Sequence, residues 1–150
     1  MRKIIVGLGS LSRGELSGER MEVALNSQDQ EDEHSCFSDN THRDVATNAK
    51  GIQNVWLGEF KRRDGSLLKG PGLRDLVAVK NPALAEKTTA QIAASVQGAE
   101  AIPAPFDRAI VKGSAGRPVI EKTVASLVSQ SKLLVESASA VGIAKLTLVE

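Results

Sequence analysis

Residues 118–142 read PVIEKTVASLVSQSKLLVESASAVG. Within this stretch Ile120, Val124, Leu127, Ser131, Leu134, Ala138 and Val141 recur at alternating steps of four and three. That spacing keeps every one of them on a single face of a helix. Pro118 is pre-set for a first helical position and Gly142 for a C-cap, so the spacing predicts one long, uninterrupted helix.

Upstream the same period returns. Val45, Ala49, Ile52, Trp56 and Phe60 form one stripe, and Leu84, Thr88, Ile92, Val96 and Ala99 form a narrower one on a helix running to about Ala101. Asn81-Pro82 reads as N-cap and first residue of that second helix, which a short helix over residues 73–80 precedes. Near the start, Ile4, Leu8 and Leu11 have helical spacing before the glycines at 7, 9, 14 and 18 weaken the pattern. Polar breakers separate these segments: Lys61-Arg62-Arg63-Asp64-Gly65-Ser66, then Gly70-Pro71-Gly72. The basic triplet at 61–63 reads as a helix C-terminus with cations placed against the dipole. Four principal helices joined by short connections predict an all-α, antiparallel helical bundle forming a single domain over residues 1–150. Only the tail, residues 143–150, has room for a strand.

Composition narrows the function. At 150 residues and 41% hydrophobic the chain can bury one core. The formal charge is +1 with both signs interspersed, so the overall composition carries no electrostatic signature of nucleic acid or of an anionic membrane. Three Phe, one Trp and no Tyr are too few to stack bases. A lone cysteine, Cys36, excludes an intrachain disulfide. No apolar run reaches the roughly 20 residues of a membrane span, and Met1–Leu11 is too short and glycine-broken for a signal peptide.

Chemistry is concentrated in residues 28–44, QDQEDEHSCFSDNTHRD. They hold both histidines (His34, His42), the cysteine and six of the eighteen acidic residues, among them Asp29 and Glu33. Extending the Val45 stripe backwards reaches His42, Ser38 and His34, which a continuous helix would turn toward the core, where they need partners. Alternatively the helix begins at the N-cap cluster Ser38-Asp39-Asn40, with His42 in its first turn and His34 in a loop. In the first helix Glu15 and Glu19 are four apart on one face. Such a pair can clamp a metal, but carboxylates so placed are more often solvated or paired with a neighbour such as Arg20 or Arg13.

The strings GELSGERM at 14–21 and DQEDEHSCFSDNTHRD at 29–44 resemble the C-terminal half of imelysin-like proteins, the iron-regulated protein A group classed with the M75 peptidases. The resemblance implies a protein of two helical-bundle halves, exported to the periplasm or cell envelope, often as a lipoprotein, and linked to iron acquisition. It also implies a Gly-x-His-x-x-Glu motif in the other half. Here the nearest analogue is Gly14 to Glu19, with Leu16 at the histidine position, and leucine cannot ligate a metal. Met1 accordingly reads as an internal methionine of a longer protein.

On that resemblance the leading expectation is a divalent metal, iron or zinc, bound at a wall between two halves. His34 and His42 are the first-choice ligands, and Glu15, Glu19, Glu31, Asp32 and Asp39 offer oxygens. Arg20, Ser38, Arg43 and Asp44 would orient them, Asp44 through His42 or Arg43. The expected partners are the metal ion and an N-terminal imelysin half or another helical protein. An M75-type metallopeptidase and a purely structural bundle are the alternatives. A His-Glu-x-x-His helix motif is absent from the sequence.

Overall fold

The computed structural model describes residues 1–143. The expected tail from Ile143 onward falls outside them except for Ile143 itself. The chain is an all-α bundle carrying one short antiparallel hairpin.

The stripe at 118–142 lies on helix α7 (Arg117–Ala140). Ile120, Val124, Leu127, Ser131, Leu134 and Ala138 are all buried. Helix α7 packs on α5 (Pro82–Glu100), on α1 (Arg2–Ser10) and on the segment that continues α1. The α5–α7 seam is close because its residues are small, and polar atoms on it bond across or back to the helix. Thr88 and Ser137 hydroxyls meet at 3.3 Å, and Gln91 Nε2 donates to Ser126 Oγ at 2.8 Å. Helix α5 begins as expected, Asn81 Oδ1 accepting from the Leu84 amide at 3.0 Å.

The first helix departs from a regular period. After α1 the chain runs through a π-helical segment, Leu11–Glu22, into α2 (Val23–Ser27) without leaving helical dihedrals at either junction. The wider π turn explains the burial pattern. Ser12 and Ser17, and Leu16 and Met21, are five apart and all fully buried, whereas Ile4, expected inside, is 47% exposed and Ile5 replaces it. The Ser12 hydroxyl back-bonds to Leu8 O at 2.8 Å and accepts from Gln130 Nε2 at 2.8 Å, which ties the π segment to α7.

Helix α3 (Thr41–Leu57) buries Val45, Ala49, Ile52 and Trp56, and Trp56 Nε1 donates to Thr89 Oγ1 at 2.8 Å. The helix stops one turn before Phe60, correcting the expected stripe. Gly58, with φ +68°, caps it. A side chain at Gly58 would strike the backbone at Gly70–Gly72, and one at Gly72 would strike the end of α3. Two glycines therefore let the chain leave and re-enter through one gap. Between them β1 (Glu59–Lys61) pairs with β2 (Leu67–Lys69), Phe60 opposite Leu68. Asp64 Oδ1 accepts from Ser66 N at 2.9 Å and Gly65, at φ +85°, turns the chain. The hairpin corrects two further expectations, since a strand lies well before the tail and the basic triplet sits at the hairpin turn rather than at a helix C-terminus. Helix α4 (Leu73–Lys80) follows, with Gly72 N donating to Asp75 Oδ2 at 2.9 Å.

At the opposite end a short helix, α6 (Phe106–Ala109), plugs the bundle with fully buried Phe106. Arg117 Nη1 donates to Leu25 O at 2.9 Å and Ile110 O at 2.6 Å, so one guanidinium satisfies backbone carbonyls at the ends of two helices.

Candidate functional site

Between α2 and α3 the chain makes a self-bonded loop. Gln28, in the left-handed region at φ 57°, ends α2 and accepts the Lys112 amide on its Oε1 at 2.9 Å, pinning the loop beside α6. Asp29 Oδ1 caps the 3-10 turn Gln30–Asp32 by accepting from Glu31 N at 2.9 Å. Gln30 Nε2 reaches across to Cys36 O at 2.9 Å and Asp39 Oδ1 at 2.8 Å. Phe37 stands 99% exposed at the tip and Cys36 is a half-buried free thiol.

Helix α3 begins only after Asn40, so of the two starts read from the sequence the later one holds. His42 is in its first turn and His34 in the loop. His34 Nδ1 faces Asp44 Oδ2 at 3.5 Å. Asp44 is itself oriented by the Ser35 hydroxyl and by Asn40 Nδ2 at 3.3 Å. Asp44 thus stands behind His34, where the sequence reading had set it behind His42 or Arg43. A carboxylate behind one imidazole nitrogen is an arrangement that metal-bound histidines share. His42 has its Nδ1 enclosed with no partner.

The acidic candidates are divided. Glu15 Oε1 takes both Nε and Nη2 of Arg20, at 3.0 and 2.9 Å, and Glu19 lies 3.9 Å from the same guanidinium. Glu15 thus pairs with Arg20, while Glu19 is largely exposed beside the same cation. Asp39 is engaged by Gln30. Glu31, Ser38 and Arg43 are exposed and Asp32 is half-buried. Among the described residues no three His, Cys, Asp or Glu side chains are gathered so as to hold a metal ion. Among the described residues the candidates fit one side of a site, with the exposed His34 on it, and do not fit a complete one.

Two carboxylates that sequence reasoning passed over lie beneath the loop. Glu33 is 4% exposed and neither of its oxygens has a donor at hydrogen-bonding geometry; Asp107 Oδ1, on α6, is likewise enclosed without one. Burial pushes the Glu33 carboxyl above its ordinary value, the nearby Thr41 hydroxyl offsets part of that, and the charges of Asp107 and Asp39 add to it. Only the fold brings Asp107 to Glu33. The one signal available in the sequence was Glu33's place among the acids of the loop.

The fold defines a class of helical-bundle proteins, here with a self-bonded, acid-rich loop in which His34 faces Asp44. Residues 1–134 match the family model described as Imelysin, Peptidase_M75, and the chain belongs to the imelysin family. No curated protein matches it.

Proposed function

We propose that this chain supplies one wall of an iron-linked metal site in a cell-envelope protein, with the remaining ligands coming from water or from a second helical half. The observation that carries the reading is the Asp44–His34 contact at 3.5 Å, with Asp44 fixed by Ser35 and Asn40. A carboxylate behind a ligating histidine orients the ring toward the ion. A bound divalent ion would supply Lewis acidity; His34 would hold it, Asp44 would orient His34, and of the candidate acids Asp32 and Glu31 stand nearest to His34 in sequence. Membership of the imelysin family supports the iron or peptidase context at the level of the family. For a peptidase an open metal position and a general base are needed. The sequence has neither a His-Glu-x-x-His helix motif nor a recognisable Ser/His/Asp order to supply them, so binding is favoured over hydrolysis.

Calorimetric titration of the chain with ferrous ion, under anaerobic conditions, and with zinc tests this. A wall with few ligands binds weakly, and the affinity falls on acidification because protons compete with the ion for the ligating nitrogen. His34→Ala removes the binding and Asp44→Asn weakens it by roughly ten- to a hundredfold. Binding that survives His34→Ala unchanged overturns the assignment.

A further inference from the structure

The chain's near-zero net charge hides a local imbalance that the fold gathers at one end of the bundle. Residues 59–80 carry six cations against three carboxylates, while the whole chain has a formal charge of +1. Two of those carboxylates are already committed, Glu59 to Lys69 at 3.0 Å and Asp75 to Arg74 at 3.0 Å. Lys61, Arg62, Arg63 and Lys80 are exposed around them, and Lys3 is exposed at the start of α1.

The same end collects apolar surface. Of the eleven large hydrophobic residues exposed among the described residues, eight lie here. Phe60 and Leu68, paired across the hairpin, are 54% and 53% exposed and line a shallow depression that reaches Val55 on α3. From Val55 a second depression continues over α4 to the start of α1, past Leu76, Val79, Ile4 and Met1. The two depressions share Val55 and make one open, largely apolar face, and the exposed cations that adjoin its residues in the sequence form its rim.

The sequence around that face interleaves the two kinds of residue: Met1-Arg2-Lys3-Ile4, Phe60-Lys61-Arg62-Arg63, Leu67-Leu68-Lys69 and Val79-Lys80. Protein interfaces concentrate aromatics and are depleted of lysine, whereas this rim is half lysine and its face mostly aliphatic. Interfacial membrane segments combine Lys and Arg with Phe and Leu in this way, the apolar groups entering the acyl boundary while the cations meet lipid phosphates. Among the described residues no helix is long and apolar enough to cross a membrane, so the contact is with a surface.

We propose that the face formed by the hairpin, α4 and the start of α1 docks on an anionic lipid bilayer. The test is co-sedimentation of the full chain with vesicles of phosphatidylcholine alone and of an equal mixture of phosphatidylcholine and phosphatidylglycerol. Binding to the mixed vesicles only, weakening as salt is raised, is expected. Arg62→Glu with Arg63→Glu lowers the association constant by more than about tenfold. Phe60→Ser with Leu68→Ser lowers it at unchanged charge. All four positions are exposed, and circular dichroism melting verifies that both double variants stay folded. Three results overturn the proposal: equal partition onto both vesicles, binding by either double variant that equals the wild type, or no binding at all. The last would reassign the face to a protein partner.

Discussion

Glu33 is the residue on which burial and charge conflict most directly. A carboxylate enclosed without donors, beside Asp107 and Asp39, raises the energy of the charged form, and its titration point lies above the ordinary value. The sign follows from linkage. Between the ordinary and the raised titration points the folded chain binds more proton than the unfolded one, so stability falls as pH rises through that window and stays reduced above it. Glu33→Gln, which keeps the shape without the charge, is expected to raise the melting temperature at pH 7.5, and the gain should shrink as pH is lowered toward about 4. Thermal melts of both proteins across that range check this. A variant less stable than the wild type at pH 7.5 would mean that the carboxylate is holding a cation. Nothing in the sequence marks Glu33 out from Glu31 or Asp32, because its burial depends on how the loop folds over α6.

Among the elements, α7 and α5 were legible because each carries a stripe long enough to fix its phase, and Asn81-Pro82 fixed a boundary. The hairpin was not. Three residues per strand are too few to display alternation, and Phe60 happens to fall in phase with the α3 stripe, so the helix read one turn too long. The decisive residues were Gly58 and Gly72, whose roles are visible only where the two backbones cross. The π segment was obscured for a related reason: its buried residues recur at four and five, a period that a helical stripe search reads as noise. Gly58→Ala tests the crossing. It combines a positive φ with backbone contact at Gly70–Gly72, and a loss of about 1–3 kcal/mol is expected in urea unfolding. A loss of a few tenths would show that the hairpin can shift to admit a methyl group.

For the whole molecule, the distribution of packing sets which parts open first. Helix α7 lies at the centre, touching α1, α4, α5 and the π segment, while the hairpin's main contact outside itself is with α3. The metal-candidate loop is intermediate, held by side-chain bonds within itself and by the Gln28–Lys112 bond to the segment after α6. The candidate site was legible in the sequence as a location, since both histidines and the acids cluster there, but not as a geometry. The Asp44–His34 pairing and the commitment of Glu15 to Arg20 depend on where α3 starts and how the π segment turns. Native-state hydrogen exchange should therefore rank three zones. Amides of α5, α7 and the π segment exchange only through global unfolding, loop amides such as Ser35 and Ser38 through a smaller opening, and hairpin amides fastest. The Ser35 amide, which donates to buried Thr41 Oγ1 at 3.0 Å, is the reporter for the loop. If it exchanges as fast as the hairpin, the loop is not rigid enough to preorganise His34. Exchange as slow as α7 would instead make the loop part of the core unit, and Glu33→Gln should then shift the protection of both together.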